Sequence, residues 1–269
     1  MRILAIGDVM GKTGRQTVAT FLPRVREQFN PDLIILNGEN AAGGFGLTEK
    51  IYTELTTQLG IDVITMGNHW HDKREIYDFH PKSDRLVLPG NMANISDETD
   101  GLRIIKSKSG TDVAIINLIG KAFMHGENRS FFETCDRLLD RVPSYVKVRV
   151  IDMHAEASSE KQAMAQEYAG RVSLIYGTHS HVPTADERIV AGFTGYVTDI
   201  GMTGAYDSVI GIRKDAAILR LKTGEKKHFE PAVQDPWMCF VIAEIDGSTG
   251  ACKTFERHRW ELNKMSDSR

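Results

Sequence analysis

The sequence predicts an α/β fold of two stacked sheets with helices outside. Three observations carry this. Short apolar runs alternate with helical patterns through the first half of the chain. A hairpin and a set of short alternating strands then replace that rhythm. Side chains able to ligate a metal recur where the strands appear to end. Strand–helix–strand spacing of this kind implies parallel strands joined by right-handed crossovers, whose sites form at the carboxyl ends of the strands.

Taken in order, Ile3 to Ile6 reads as a buried strand, and Gly14 to Gln28 as a helix with Val18, Phe21, Leu22 and Val25 on one face. Asp32 to Leu36 is the next strand, Leu47 to Leu59 a helix and Ile61 to Met66 a third strand, with Leu86-Val87-Leu88 beyond it. Leu102 to Lys106 and Val113 to Leu118 flank Ser109-Gly110 as a hairpin. Residues 121–145 break the pattern with Phe123, Met124, Phe131, Phe132, Leu138 and Leu139 among polar residues, as expected of a helical excursion that caps the fold. Val148 to Met153 and Val172 to Tyr176 are buried strands with a helix between them over 155–169. From Glu187 onward, short strands predict a second, more antiparallel sheet. No repeat or linker divides the chain, so a single domain over 1–269 is expected.

Composition is ordinary for a globular protein, 41% hydrophobic and 26% charged. A formal net charge of -3 excludes bulk electrostatic attraction to nucleic acid or membrane. Cys135, Cys239 and Cys252 are odd in number and form no CxxC, as expected of reduced thiols. Met1 leads straight into a strand, and the longest apolar run, Val113 to Ile119, is far too short to span a bilayer. A cytoplasmic protein is expected.

Eight metal-type side chains fall in five clusters: Asp8, Glu39-Asn40, Asn68-His69, His154 and His179/His181. Taken singly, Glu39-Asn40 also reads as a turn with solvated polar residues, Asn68-His69 as a turn Asn beside a surface His, and a lone His pair is a frequent accident. All five being accidental is far less plausible, and many N and O ligands converging from several loops suit a binuclear site for phosphate esters. In an extended segment His179 and His181 share one side, with Thr178 and Ser180 facing away. Gly11-Lys12-Thr13 matches the end of a phosphate-binding loop, but that motif needs glycine where Ile6 stands, and Asp8 would repel a phosphate. His71, His80 and His125 are read as mostly structural, although His71 is close enough to His69 in sequence to approach the site.

In this order the clusters resemble the calcineurin-like metallophosphoesterase superfamily, with its D-x-H, G-D, G-N-H, H and G-H-x-H motifs. Three departures are informative: Met10 replaces the first histidine, Glu39 the usual aspartate, and Thr178 is inserted after Gly177. With Asn37 to Gly44 and Asp199 to Gly204, they look like the YmdB-like branch. The resemblance implies a four-layer α-β-β-α sandwich of two mixed sheets with a small helical cap insertion. It implies two transition-metal ions, iron or manganese, with Asp8, Asn40 and His181 on the first, Asn68, His154 and His179 on the second, and Glu39 bridging both. Asn40 would fill the place left by Met10, a soft thioether. His69 would be the general acid. Two divalent cations, two carboxylates and a bridging hydroxide leave one positive charge, suited to a phosphodiester monoanion.

The expected activity is hydrolysis of cyclic nucleotides, 2′,3′-cyclic and also 3′,5′-cyclic. The alternatives are a phosphomonoesterase or protein phosphatase on the same scaffold, or a regulatory nucleotide-binding protein with incidental hydrolysis. The expected partner is a small phosphodiester, with neither membrane nor polymeric nucleic acid, and a homo-oligomer is allowed.

Overall fold

In the computed structural model, which describes residues 1–95, 97–225 and 229–262, the chain folds as two mixed sheets packed face to face between helices. Strand β1 (Arg2–Ile6) is followed by α1 (Gly11–Phe29), β2 (Leu33–Asn37), α2 (Glu49–Thr53) and a π-helical turn (Glu54–Gln58). Then come β3 (Val63–Thr65), α3 (Ile76–Phe79) and β4 (Leu86–Val87). β1 to β4 pair in parallel and in sequence order.

The chain next builds the other sheet. β5 (Leu102–Lys106) and β6 (Asp112–Ile119) form the antiparallel hairpin that Ser109-Gly110 predicts. α4 (Phe131–Asp140), β7 (Val148–His154), α5 (Ser158–Glu167), β8 (Leu174–Thr178), β9 (Arg188–Val190) and β10 (Thr194–Val197) complete it, in the order β5-β6-β7-β8-β10-β9. The last elements, β11 (Gly204–Ala205), α6 (Lys214–Thr223), β12 (Pro236–Ile245) and β13 (Cys252–Glu261), return to the first sheet.

That return corrects the expectation for the region after Glu187. Only β9 and β10 join the second sheet, whereas β12 lies antiparallel beside β1 in the middle of the first. The reason lies in β12 itself. Met238, Phe240 and Ile242 pack on the α1 side, while Cys239, Val241, Ala243 and Ile245 pack between the sheets. A strand apolar on both faces belongs in a central slot.

The same alternation defines the layers. Leu4 and Ile6 of β1 join Val18, Phe21, Leu22 and Val25 of α1 in one core. Ile3 and Ala5 meet Ile115, Val150 and Tyr176 of the opposite sheet in a second. Ile116, Leu118 and Ile151 face α4 and α5 in a third. Each fully buried Leu, Ile or Val contributes roughly 1.5–3 kcal/mol, so three stacked cores hold the strand ends in fixed register. Within 121–145, Phe131, Cys135, Leu138 and Leu139 of α4 are buried against the second sheet, and residues 121–130 form a loop above the strand ends. Among the described residues, no helix is long and apolar enough to cross a membrane.

Candidate metal centre

The carboxyl ends of five strands, three from one sheet and two from the other, converge on one point. Asp8 follows β1, Glu39 and Asn40 follow β2, and Asn68 and His69 follow β3. His154 ends β7, and His179 and His181 follow β8. Asp8, Glu39, Asn40, His154 and His181 are all buried. The approach is so close that a Cβ on Gly67 would overlap both Glu39 Oε2 and His154 Nε2. Only glycine fits there.

The ligand-type atoms form two groups. Glu39, His154 and His179 are one; Asp8, Glu39 and His181 are the other, with the atoms of each within 4.8 Å of one another. Glu39 belongs to both. Asn68 Oδ1 lies 3.0 Å from His154 Nε2, and Asn40 Oδ1 lies 3.1 Å from His181 Nε2. His154 Nε2 also has Glu39 Oε1 at 3.2 Å and His179 Nδ1 at 3.1 Å. One ring nitrogen can satisfy only one of these three neighbours by hydrogen bonding. Asp8 Oδ1 is buried with no hydrogen-bond partner, which costs roughly 1–3 kcal/mol. Convergent lone pairs and an orphaned carboxylate oxygen fit cation ligation, and this N/O set without thiolate suits borderline and hard ions. Met10 lines the adjoining cavity but offers only its thioether.

The protein's own charges show how strongly the cluster calls for positive charge. Burial pushes the Asp8 carboxyl up to about 6, against the pull of His181 and His154. Burial also works against ionising Glu39, yet His154, His69 and His179 hold it far below the usual carboxylate range. His154, despite burial, is raised to about 9 by Glu39 and Asp8. Burial and the charge of His154 push His179 down to about 3. Glu39 and Asp8 thus favour positive charge at His154, and an imidazole must be unprotonated at the nitrogen that ligates a cation.

Each imidazole is held from behind. His154 Nδ1 donates to Thr178 Oγ1 at 2.9 Å, and Thr178 Oγ1 donates to Asp152 Oδ1 at 2.6 Å. The fully buried Asp152 also accepts from Thr65 Oγ1 at 2.5 Å and Asn37 Nδ2 at 3.2 Å. His181 Nδ1 faces the Ile210 carbonyl at 2.8 Å, and His179 Nε2 faces Glu156 at 3.2 Å. These contacts orient the opposite ring nitrogens toward the cluster. Thr178 thus points at His154, which corrects the expectation that it faces away.

The pair His179/His181 is a second correction. β8 ends at Thr178, and the two histidines take φ 96° and 64° rather than extended values. They serve different groups instead of sharing one side. Positive φ costs roughly 1–2 kcal/mol at a non-glycine residue, so the turn must be held from outside. Asp199 does this: its carboxylate accepts from Ser180 N at 3.1 Å and Gly201 N at 2.8 Å, and pairs with the buried Lys161 at 2.7 Å.

His69 stands at the mouth. Its side chain is 29% exposed, its Nδ1 lies 2.8 Å from Asp72 Oδ2, and its backbone N–H donates to Glu39 Oε2 at 3.2 Å. His80 is buried far from the cluster beside Asp100 and Arg103, whereas His71 and His125 line a neighbouring cleft. Sequence reasoning missed Asp152, Thr178, Asp72, Glu156 and the Lys161–Asp199 pair. Asp152 carried a signal, being a charged residue inside an apolar strand two positions before His154.

A family model described as YmdB-like protein matches residues 4–258. The chain belongs to the YmdB-like family. It is a metallophosphoesterase, and the four-layer sandwich described above is the fold of that class. It is 43% identical, over 96% of each chain, to a Bacillus subtilis protein named 2′,3′-cyclic-nucleotide 2′-phosphodiesterase. Among solved structures, a hypothetical protein from Thermus thermophilus matches with TM-score 0.88 and 34% identity, covering 97% of this chain and 99% of that one. A phosphatase from Mycoplasma pneumoniae matches with TM-score 0.88 and 31% identity, covering 97% and 93%.

Proposed function

We propose that this YmdB-like chain hydrolyses 2′,3′-cyclic nucleotides, and 3′,5′-cyclic nucleotides as well, at a pair of iron or manganese ions. Asp8, Asn40 and His181 would hold one ion, Asn68, His154 and His179 the other, and Glu39 both. The observation that carries this reading is the position of Glu39 in both ligand-type groups. The name of the Bacillus subtilis relative supports the substrate class.

When bound, two such cations supply positive charge for the phosphoryl oxygens and acidify water. The chain's residues do the rest. Asp72 orients His69 through Nδ1, leaving Nε2 to deliver a proton to the leaving oxygen. Thr178 and Asp152 fix His154, and the Ile210 carbonyl fixes His181. The exposed Glu156 carboxylate at the cavity mouth disfavours a second negative charge on the phosphate, as a monoester dianion would bring.

A panel of cyclic nucleotides and matching monoesters, assayed with manganese alongside metal analysis, tests the proposal. Cyclic diesters should turn over faster, with close to two ions per chain. Faster turnover of monoesters than of every cyclic diester would overturn it in favour of a phosphomonoesterase.

A further inference from the structure

The cavity bounded by Glu39, Asn40, His69, His179 and His181 is small, about 220 Å³. Sites that enclose whole small-molecule ligands run to roughly 300–1,000 Å³. The cavity at the cluster is therefore too small to enclose a whole nucleotide by itself. A second cleft, of about 460 Å³, adjoins it, and His69 lines both. Asn68 also lines this second cleft, so it opens directly from the cluster.

The chemistry of the cleft is selective. No lysine or arginine lines it, so it is not built for a second phosphate or a polynucleotide backbone. Its lining is mixed, with Met92 as an apolar element and Asn94, His71, His125 and Glu127 as polar ones. Among the described residues, the side chains of Asn94, His125 and Glu127 make no hydrogen bond or ion pair. The floor is preformed. Asn91 Nδ2 donates to the Ile119 and Arg129 carbonyls at 2.7 and 3.1 Å, Arg129 Nη2 donates to the Gly90 and Met92 carbonyls at 3.0 and 3.1 Å, and Asn128 Nδ2 donates to Gly120 O at 2.9 Å. The two walls, 90–95 and 120–129, are thus tied together beneath the opening.

One aromatic ring on that wall is unspent. Phe131 is buried and Phe132 packs on Tyr168, but Phe123, two residues before His125, is 86% exposed. Its backbone sits at φ 62°, a costly conformation for a residue that buries nothing in return. The loop that carries this ring also supplies His125 and Glu127 to the cleft, and an exposed ring on a strained loop is what base stacking uses.

We infer that this cleft is the nucleoside subsite: the phosphate sits at the Glu39 cluster, ribose and base extend past His69, Phe123 stacks on the base, and Asn94 and His125 supply polar contacts. The assignment rests on the phosphodiesterase reading, and it names neutral mononucleosides, rather than oligonucleotide ends, as the group bound.

The test uses the full chain and the variants Phe123→Ala, Asn94→Ala and His125→Ala. The ratio of kcat/KM for 2′,3′-cyclic AMP to that for methyl 4-nitrophenyl phosphate, a diester without a nucleoside, should fall about tenfold in Phe123→Ala, through KM. Binding of adenosine to the full chain as purified, followed by isothermal titration calorimetry, should be seen in the parent and weakened in all three variants. An unchanged ratio together with unchanged adenosine binding would overturn the subsite. Adenosine binding that depends on Phe123, without hydrolysis of either diester, would keep the subsite and remove the phosphodiesterase reading instead.

Discussion

At the scale of single residues, Glu39 and His69 divide the work between holding and reacting. Glu39 is buried and shared by both ligand-type groups, so Glu39→Ala should lower metal content and activity together. His69 is partly exposed and lies outside both groups, so His69→Ala should keep its metal and lose roughly a hundredfold in turnover. Elemental analysis beside steady-state kinetics separates the two, and loss of metal from the His69 variant would remove its role as acid. Thr178 offers a finer test. Thr178→Val keeps the shape but leaves His154 Nδ1 without its acceptor and Asp152 without one donor. Manganese affinity by calorimetry should fall about 10–100-fold, the usual effect of losing such an orienting contact. Unchanged affinity would show that the packing around His154 orients it without help. The eight cluster residues were legible in the sequence because their chemistry recurs at strand ends. Thr178 was misjudged because the extended backbone that would have turned it away stops at Thr178 itself.

At the scale of elements, the turn after β8 is where local pattern and tertiary structure part company. Sequence spacing alone makes Thr178 to His181 a continuation of the strand. The chain instead bends through two positive-φ histidines, because Asp199, nearly twenty residues later, captures Ser180 N and Gly201 N. No local rule reveals a contact of that separation. The anchor of the anchor is Lys161 on α5, 1% exposed and paired to Asp199 at 2.7 Å. Removing one member of a buried pair strands the other charge, at a cost of about 3–5 kcal/mol. Lys161→Met should lose stability on that scale in urea denaturation, and the double variant Lys161→Met/Asp199→Asn should recover part of it, because asparagine keeps an acceptor for Ser180 N without an unpaired charge. A Lys161→Met variant within about 1 kcal/mol of the parent would mean that the pair does not hold the turn. The path of β12 was hidden for a related reason: its two apolar faces are visible in the sequence, but its choice between two sheets depends on β1 offering an open edge.

At the scale of the whole molecule, the cluster joins the two sheets. Asp8, Glu39, Asn40 and Asn68 come from the first sheet, and His154, His179 and His181 from the second. Between them the interface is apolar, with Ile3, Ile35 and Val63 facing Ile115, Val150 and Leu174, and it ends at this polar rim. An ion held by ligands from both sheets would therefore be bound by the assembled sandwich and not by the unfolded chain. Linkage then requires stabilisation by bound metal, roughly 2.7 kcal/mol when free metal is a hundredfold above its Kd. For a chain of this size, each kcal/mol is worth about 2–4 °C in Tm. Stripping with a strong chelator should lower Tm by about 5–10 °C, and manganese should restore it in a concentration-dependent manner. The Glu39→Ala variant provides the control, because loss of the shared carboxylate should abolish the manganese-dependent increment even where the metal-free protein still folds. Differential scanning calorimetry measures all of these. A parent Tm that ignores both chelator and manganese would mean that no ion spans the two sheets, and with it would go the ligand assignment built on Glu39.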